Sequence, residues 1–315
     1  MTTTEARPSA VTAAGADRWL LAPAPPTRLA ALRVLIVAYG VVHLVVTAPS
    51  LLQVADLPDE QFAPVGVLAW LSHPASHAVV VGGLVAAIAT GLAALLGWRW
   101  RLSGPAFAVL FLLASTCPVS WGHVSHADHL PAVHLAILAL VPAADAWSLD
   151  ARRRRSPVPA PQARYGWPVR MLAVATVVSY VVAGIAKVRY SGFGWLDGDV
   201  LRNQIAADTL QKTLLGASHS PIGAWLAGHP AVLPVAAFGA LAVELGAPVA
   251  LLGGVWRNVW VAAAWLFHLS IAAVMAIAFP YPLYGVAFAP FFDVERAVGW
   301  VRRQAVAARS SGRRA

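Results

Sequence analysis

The chain has 315 residues, of which 59% are hydrophobic and 12% charged, with a mean hydropathy of +0.66. Soluble domains carry roughly 45–50% apolar residues, so water is not the main solvent and little chain is left for a soluble module. The formal net charge of +9 does not point to nucleic acid, because the basic residues lie in short stretches between apolar runs and form no single basic face.

Residues 1–28 are rich in Ala, Pro and Thr and hold neither the continuous apolar core nor the cleavage site of a signal peptide. A disordered cytoplasmic tail is expected there, with a short interfacial turn at Trp19, Leu20 and Leu21. Apolar runs of spanning or near-spanning length follow at 29–49, 78–97, 104–119, 130–147, 168–187, 231–253 and 258–279. Each predicts a transmembrane helix. The run 280–292 is shorter and carries Pro280, Pro282 and Pro290, which by itself fits a crossing, a re-entrant segment or an interfacial turn.

Charge decides between these. With the amino terminus inside, the inner segments hold Arg7, Arg18, Arg28 and Arg33, then Arg99 and Arg101, then Arg152 to Arg155 with Arg164 and Arg170, and then Arg257. The opposite loops 50–77 and 120–129 contain no Lys or Arg, and the long 188–230 loop has only Arg189, Arg202 and Lys212. The tail after Asp293 is again arginine-rich, and keeping it inside requires an eighth, broken crossing. The expected fold class is therefore all-α, a polytopic integral membrane protein with about eight transmembrane helices. The boundaries read 1–28 for a disordered tail, 29–292 for the membrane domain and 293–315 for a basic tail, with both termini cytoplasmic and the chain in the cell membrane. The 188–230 loop, with Trp195, Trp225, His219 and His229 among glycines and prolines, reads as a structured loop on the outer surface.

Ionisable groups inside apolar spans are costly in lipid, so each has to face a partner, an aqueous cavity or the protein interior. Glu244, His268, Lys187 and His134 stand out on that ground, as helix contacts or as parts of a site. Tyr180, Ala183, Gly184 and Lys187 fall at spacings of three, four and seven and so share one helical face. The small neighbours predict room for a ligand beside the lysine, whose amine would abstract a proton; the alternative is a lysine that snorkels to the outer interface. His123, His126, Asp128 and His129, followed by His134, concentrate imidazoles in one outer segment. These serve either as interfacial hydrogen-bonding or acid–base groups or, in the alternative, as a metal set of His123, His126 and His129 completed from elsewhere. The single cysteine, Cys117, has no partner for an internal disulfide or a thiolate cage. Membrane lipid is the expected surrounding, and the arginines of 152–155 could contact its anionic headgroups.

The stretch Tyr180-Val-Val-Ala-Gly-Ile-Ala-Lys187 followed by Trp195-Leu-Asp-Gly198 resembles the corresponding helix and outer loop of the HTTM family, the membrane domain shared with vitamin K-dependent gamma-carboxylases. Ala146-Trp-Ser-Leu-Asp150, the Asp128–His129 pair, Glu244 and Phe267-His268-Leu-Ser270 resemble further family elements, in the same order, over about residues 28–292. The resemblance implies that Lys187 deprotonates a reduced, vitamin K-like quinone, that His129 supports the reacting centre, and that Tyr180, Gly184, Trp195, Asp197, Glu244 and His268 border the substrate. It implies carboxylation of glutamate in a secreted peptide or protein, or maturation of such a peptide, at the extracytoplasmic face. The reading from a different class is a non-catalytic transporter, accessory or immunity protein in which Glu244 and His268 hold helices together or relay protons.

Overall fold

The computed structural model describes residues 10–122, 126–155 and 157–297. His123 and the basic residues beyond 297 lie outside the described residues. Among the described residues the chain is all-α, its one extended element being an isolated antiparallel bridge between Ala24 and Gln162. Five helices are long and apolar enough to cross a bilayer: α2 (Pro26–Val54), α3 (His77–Leu95), α4 (Trp100–Val119), α7 (Ala163–Ser191) and α11 (Gly254–Met275). A bent helix pair would make a sixth. The chain is thus a multi-pass membrane protein. It divides into two compact units, residues 1–172 with 293–315 and residues 173–292, the division falling inside α7.

In the first unit, α1 (Ala10–Leu20) occupies part of the stretch assigned to the amino-terminal tail. α2 starts with Pro26 in its first turn, where a missing N–H costs nothing, and runs 29 residues, about 44 Å at 1.5 Å per residue. It is the most enclosed of the five, with Leu29, Leu32, Ile36, Val37 and Leu44 buried. Close helix approach in lipid depends on small residues at the contact. A Cβ on Gly91 of α3 would sit 2.6 Å from Val41 Cγ2 and 2.8 Å from Phe107 Cε2, so only glycine lets α3 pack against both α2 and α4 at that level.

The start of α4 is held by the segment 146–150. Asp150, in α6 (Leu149–Arg154), accepts from the N–H of Arg99 and of Trp100, both at 2.9 Å, and Arg99 itself takes the left-handed φ of 48°. Arg33 is fully buried, donates from Nη2 to Trp147 O at 2.7 Å and lies 5.9 Å from the centroid of the Trp100 ring. Arg28 pairs with Asp293 and with Glu295, and Arg170 donates to Ala22 O at 2.7 Å. Three arginines that sequence treats as topology signals are therefore also bonded into the fold.

In the second unit, the segment 188–230 is not loop but largely helical. The carboxyl-terminal part of α7 reaches Ser191, and α8 (Asp199–Leu214) and α9 (Pro221–Ala227) follow. Ile205 of α8, Leu226 of α9 and Leu233 form a small buried core with Val274 and Met275 of α11. Ser220 caps α9 by accepting from the N–H of Ile222 and Gly223. Gly223 lets α9 touch α11, since a Cβ there would stand 2.2 Å from Val274 O.

Several apolar runs that predict one span each are broken in the structure. Run 130–147 yields α5 (His129–Ala139), 11 residues, followed by turns; Pro142 shortly beyond disfavours a further turn. Run 231–253 yields α10 (Leu233–Leu245), then a 3-10 stretch Ala247–Leu252. Pro248 lacks an N–H and would clash with the carbonyl four residues back, which is why α10 stops at Leu245. The helices Pro221–Ala227 and Pro230–Leu245 meet at a bend of 92°. Run 280–292, expected as a broken crossing, is α12 (Pro280–Leu283) and a 3-10 stretch Val286–Phe291.

Candidate functional site

The second unit gathers most of the ionisable and aromatic residues that the sequence singles out. α7 carries Tyr180, Gly184 and Lys187, α10 carries Glu244, and α11 carries His268. Lys187 Nζ donates to Glu244 Oε1 at 2.5 Å, and the two side chains are 23% and 4% exposed. The amine is turned toward a buried carboxylate. The other carboxylate oxygen, Glu244 Oε2, is buried and has no hydrogen-bond partner among the described residues. Trp195, in the 3-10 turn Gly192–Trp195 that follows α7, stands over the amine with its ring centroid 5.3 Å from Nζ. Its indole N–H donates to Ala237 O of α10 at 3.1 Å, so the same side chain ties the turn to the helix that bears Glu244.

Gly184 does not leave open space beside the lysine. A Cβ there would lie 2.7 Å from Leu245 Cδ2, 2.9 Å from Leu245 Cγ and 3.1 Å from Glu244 Cβ. The small residue is used up by the approach of α7 to α10, and that approach brings Glu244 within reach of Lys187, one turn along the same face.

A second polar pair lies in the same unit. Tyr180 OH and His268 Nε2 are hydrogen-bonded at 2.7 Å. The Tyr180 ring meets Trp260 edge-on at 5.0 Å, and Trp260 Nε1 donates to Val243 O at 2.9 Å, the residue before Glu244. A tryptophan beside each polar pair thus donates to a backbone carbonyl of α10. Asp197 stays apart from both: it is exposed in the turn before α8 and forms no ion pair with a described residue.

The imidazoles of the outer segment belong to the first unit. His129 is exposed at the first position of α5, and His126 is exposed just before it. His134 is fully buried, with Nε2 3.0 Å from Leu172 O. Asp128 Oδ1 lies 2.9 Å from Nε2 of His43, whose ring stacks on Tyr39 at 5.6 Å between centroids. His43 escaped the sequence reading, although it lies inside the first apolar run and the cost of an ionisable group in lipid applies to it as it does to Glu244. Among the described residues no group of three or more His, Cys, Asp or Glu side chains could hold a metal ion, and His123 of the alternative metal set is not among them.

The family model described as the HTTM domain matches residues 22–295. This chain belongs to the HTTM family. No curated protein and no solved structure matches it.

In this HTTM protein the elements that resemble the family in sequence are the ones that bear the second unit's polar contacts. Tyr180, Lys187, Trp195, Glu244 and His268 all take part in them. An amine and a carboxylate at hydrogen-bond distance can exchange a proton between them and with a third group. Burial of Glu244 strengthens its electrostatic contact with the half-buried amine.

Proposed function

We propose that this HTTM protein is a proton-transfer enzyme of the membrane, with Lys187 as the base and Glu244 as the group that holds and orients its amine. The proposed substrates are a lipid-soluble reduced quinone and molecular oxygen, which oxidises the quinol and so yields the strong base that removes a proton from glutamate in an extracytoplasmic peptide before carbon dioxide adds to the carbanion. The observation that carries the reading is the pairing of half-buried Lys187 with buried Glu244, with Trp195 over the amine.

The residues fit a quinol hydroxyl. Glu244 Oε2 is a buried acceptor with no donor among the described residues, and leaving such an oxygen unpaired costs about 1 to 3 kcal/mol. A hydroxyl donor is its complement. A reduced quinone, when bound, would supply that hydroxyl together with reducing equivalents. Glu244 Oε2 would orient the hydroxyl, Lys187 in its neutral amine form would take up the proton at Nζ, and Glu244 would then pair with the resulting ammonium, with the Trp195 ring facing the cation. Tyr180 and His268, bonded to each other, offer a hydroxyl–imidazole route for handing a proton on.

The test uses the purified full chain in lipid nanodiscs with a reduced menaquinone and a glutamate-rich peptide, reading quinol consumption and labelled carbon dioxide fixed into peptide. The wild type is expected to consume quinol, and Lys187→Ala is expected to lower the rate by roughly 10²-fold or more, with Glu244→Gln between the two. Turnover by Lys187→Ala at the wild-type rate refutes the assignment. A second reading, a non-catalytic protein in which the pair locks α7 to α10, is favoured by the close contact at Gly184. It predicts no quinol-dependent turnover in the wild type and a loss of stability in Lys187→Ala.

A further inference from the structure

The first unit holds a cleft of about 1030 Å³ that the proton-transfer reading does not use. Five of its lining residues are arginines, namely Arg99, Arg101, Arg153, Arg154 and Arg164, against two aspartates. Both aspartates are already engaged within the fold. Asp150 accepts the N–H groups of Arg99 and Trp100. Asp145 accepts from Tyr165 OH at 2.8 Å and pairs with Arg154 at 3.1 Å and Arg164 at 3.3 Å. Arg99, Arg101 and Arg153 therefore have no carboxylate partner among the described residues, and the lining carries three uncompensated positive charges.

Part of the wall is apolar. Leu102 is 67% exposed and Leu140 84% exposed, and both line the same cleft as the arginines. Leu102 belongs to α4, one of the helices long and apolar enough to span, so a chain lying on it would lie along lipid. A cluster of guanidinium groups is suited to phosphate, which each can bind through two parallel N–H bonds. A cleft of this volume is of the size that encloses a whole small molecule, far larger than one phosphate ion. The side of the membrane richest in arginine is also the side where anionic lipid concentrates.

We propose that this cleft is a binding site for an anionic phospholipid, its headgroup phosphate held by Arg99, Arg101 and Arg153 and an acyl chain laid against Leu102 and Leu140. The site is separate from the Lys187–Glu244 pair and stands or falls without it.

The test is native mass spectrometry and fluorescence-quench titration of the full chain in detergent, with phosphatidylglycerol, phosphatidylcholine and soluble glycerol 3-phosphate as probes. One phosphatidylglycerol per chain is expected to bind, in preference to phosphatidylcholine. The double variant R101Q/R153Q, which alters exposed side chains without a partner carboxylate, is expected to bind phosphatidylglycerol about thirtyfold more weakly. R101K/R153K, which keeps the charge but not the two parallel N–H bonds, is expected to fall between R101Q/R153Q and the wild type, and R189Q, outside the cleft, to bind like the wild type. Equal affinity for both lipids, or R101Q/R153Q binding like the wild type, overturns the proposal. Glycerol 3-phosphate binding as tightly as the lipid also overturns it, because the apolar wall then contributes nothing.

Discussion

Replacing Gly184 tests whether the approach of α7 to α10 is what sets the polar pair. In a helix interior Gly→Ala gains about 1 kcal/mol from propensity alone. At Gly184 the new methyl would stand 2.7 Å from Leu245 Cδ2 and 2.9 Å from Cγ, and overpacking of that kind costs about 1 to 3 kcal/mol. The strain is expected to win, so Gly184→Ala should be destabilised by up to about 2 kcal/mol. Gly184→Leu should fare worse, because four carbons cannot be placed where one already collides. Gly239 of α10 is the control, since a Cβ there meets nothing within 4 Å; Gly239→Ala should be neutral or stabilising. Leu245 is 41% exposed, so Leu245→Ala should cost little alone and should restore Gly184→Ala. Thermal unfolding of the detergent-solubilised chain, read by tryptophan fluorescence for the four single variants and for Gly184→Ala with Leu245→Ala, measures the coupling. Gly184→Ala behaving like Gly239→Ala, or Leu245→Ala failing to restore it, refutes the claim that glycine is required here.

Lys187→Met alone leaves the Glu244 carboxylate buried without its cation and should destabilise by about 3 kcal/mol, while Lys187→Met with Glu244→Leu should recover most of that loss; equal stability of the single and double variants in the same unfolding assay contradicts a true ion pair. Asp150→Ala removes the acceptor for two N–H groups at the start of α4 and should cost about 1 to 2 kcal/mol, visible as a lowered unfolding temperature. His129→Ala changes an exposed side chain and should alter stability by less than about 0.5 kcal/mol, so that any fall in quinol consumption by this variant reports function and not folding.

The membrane character and the polar pair were legible because lipid penalises ionisable groups so heavily. A run of twenty apolar residues has one stable solution, a helix, and a Lys or Glu inside such a run has to find a partner. That argument singles out Lys187 and Glu244 separately; it does not pair them, since a separation of 57 positions carries no register. The pairing comes from Gly184, whose smallness predicts ligand space from the sequence and serves helix contact in the fold. A glycine or alanine on a helix face reads the same whether a ligand or a neighbouring leucine fills the gap.

What hydropathy does not resolve is where an apolar run stops being one helix. The prolines of run 280–292 already predict a broken crossing, but run 231–253 keeps its apolar character through Pro248, and an average over the run does not mark the break there. The backbone does, because the proline removes a donor and blocks the turn before it. Broken backbone at membrane depth is tolerated only where protein or a cavity supplies the missing partners. The second unit shows such partners: Trp260 donates to Val243 O, Trp265 to Leu283 O at 2.9 Å, and Arg257 to Phe291 O at 3.0 Å. The breaks and the side chains that serve them therefore have to occur together, as Trp260, Trp265 and Arg257 do beside the interrupted helices of the second unit.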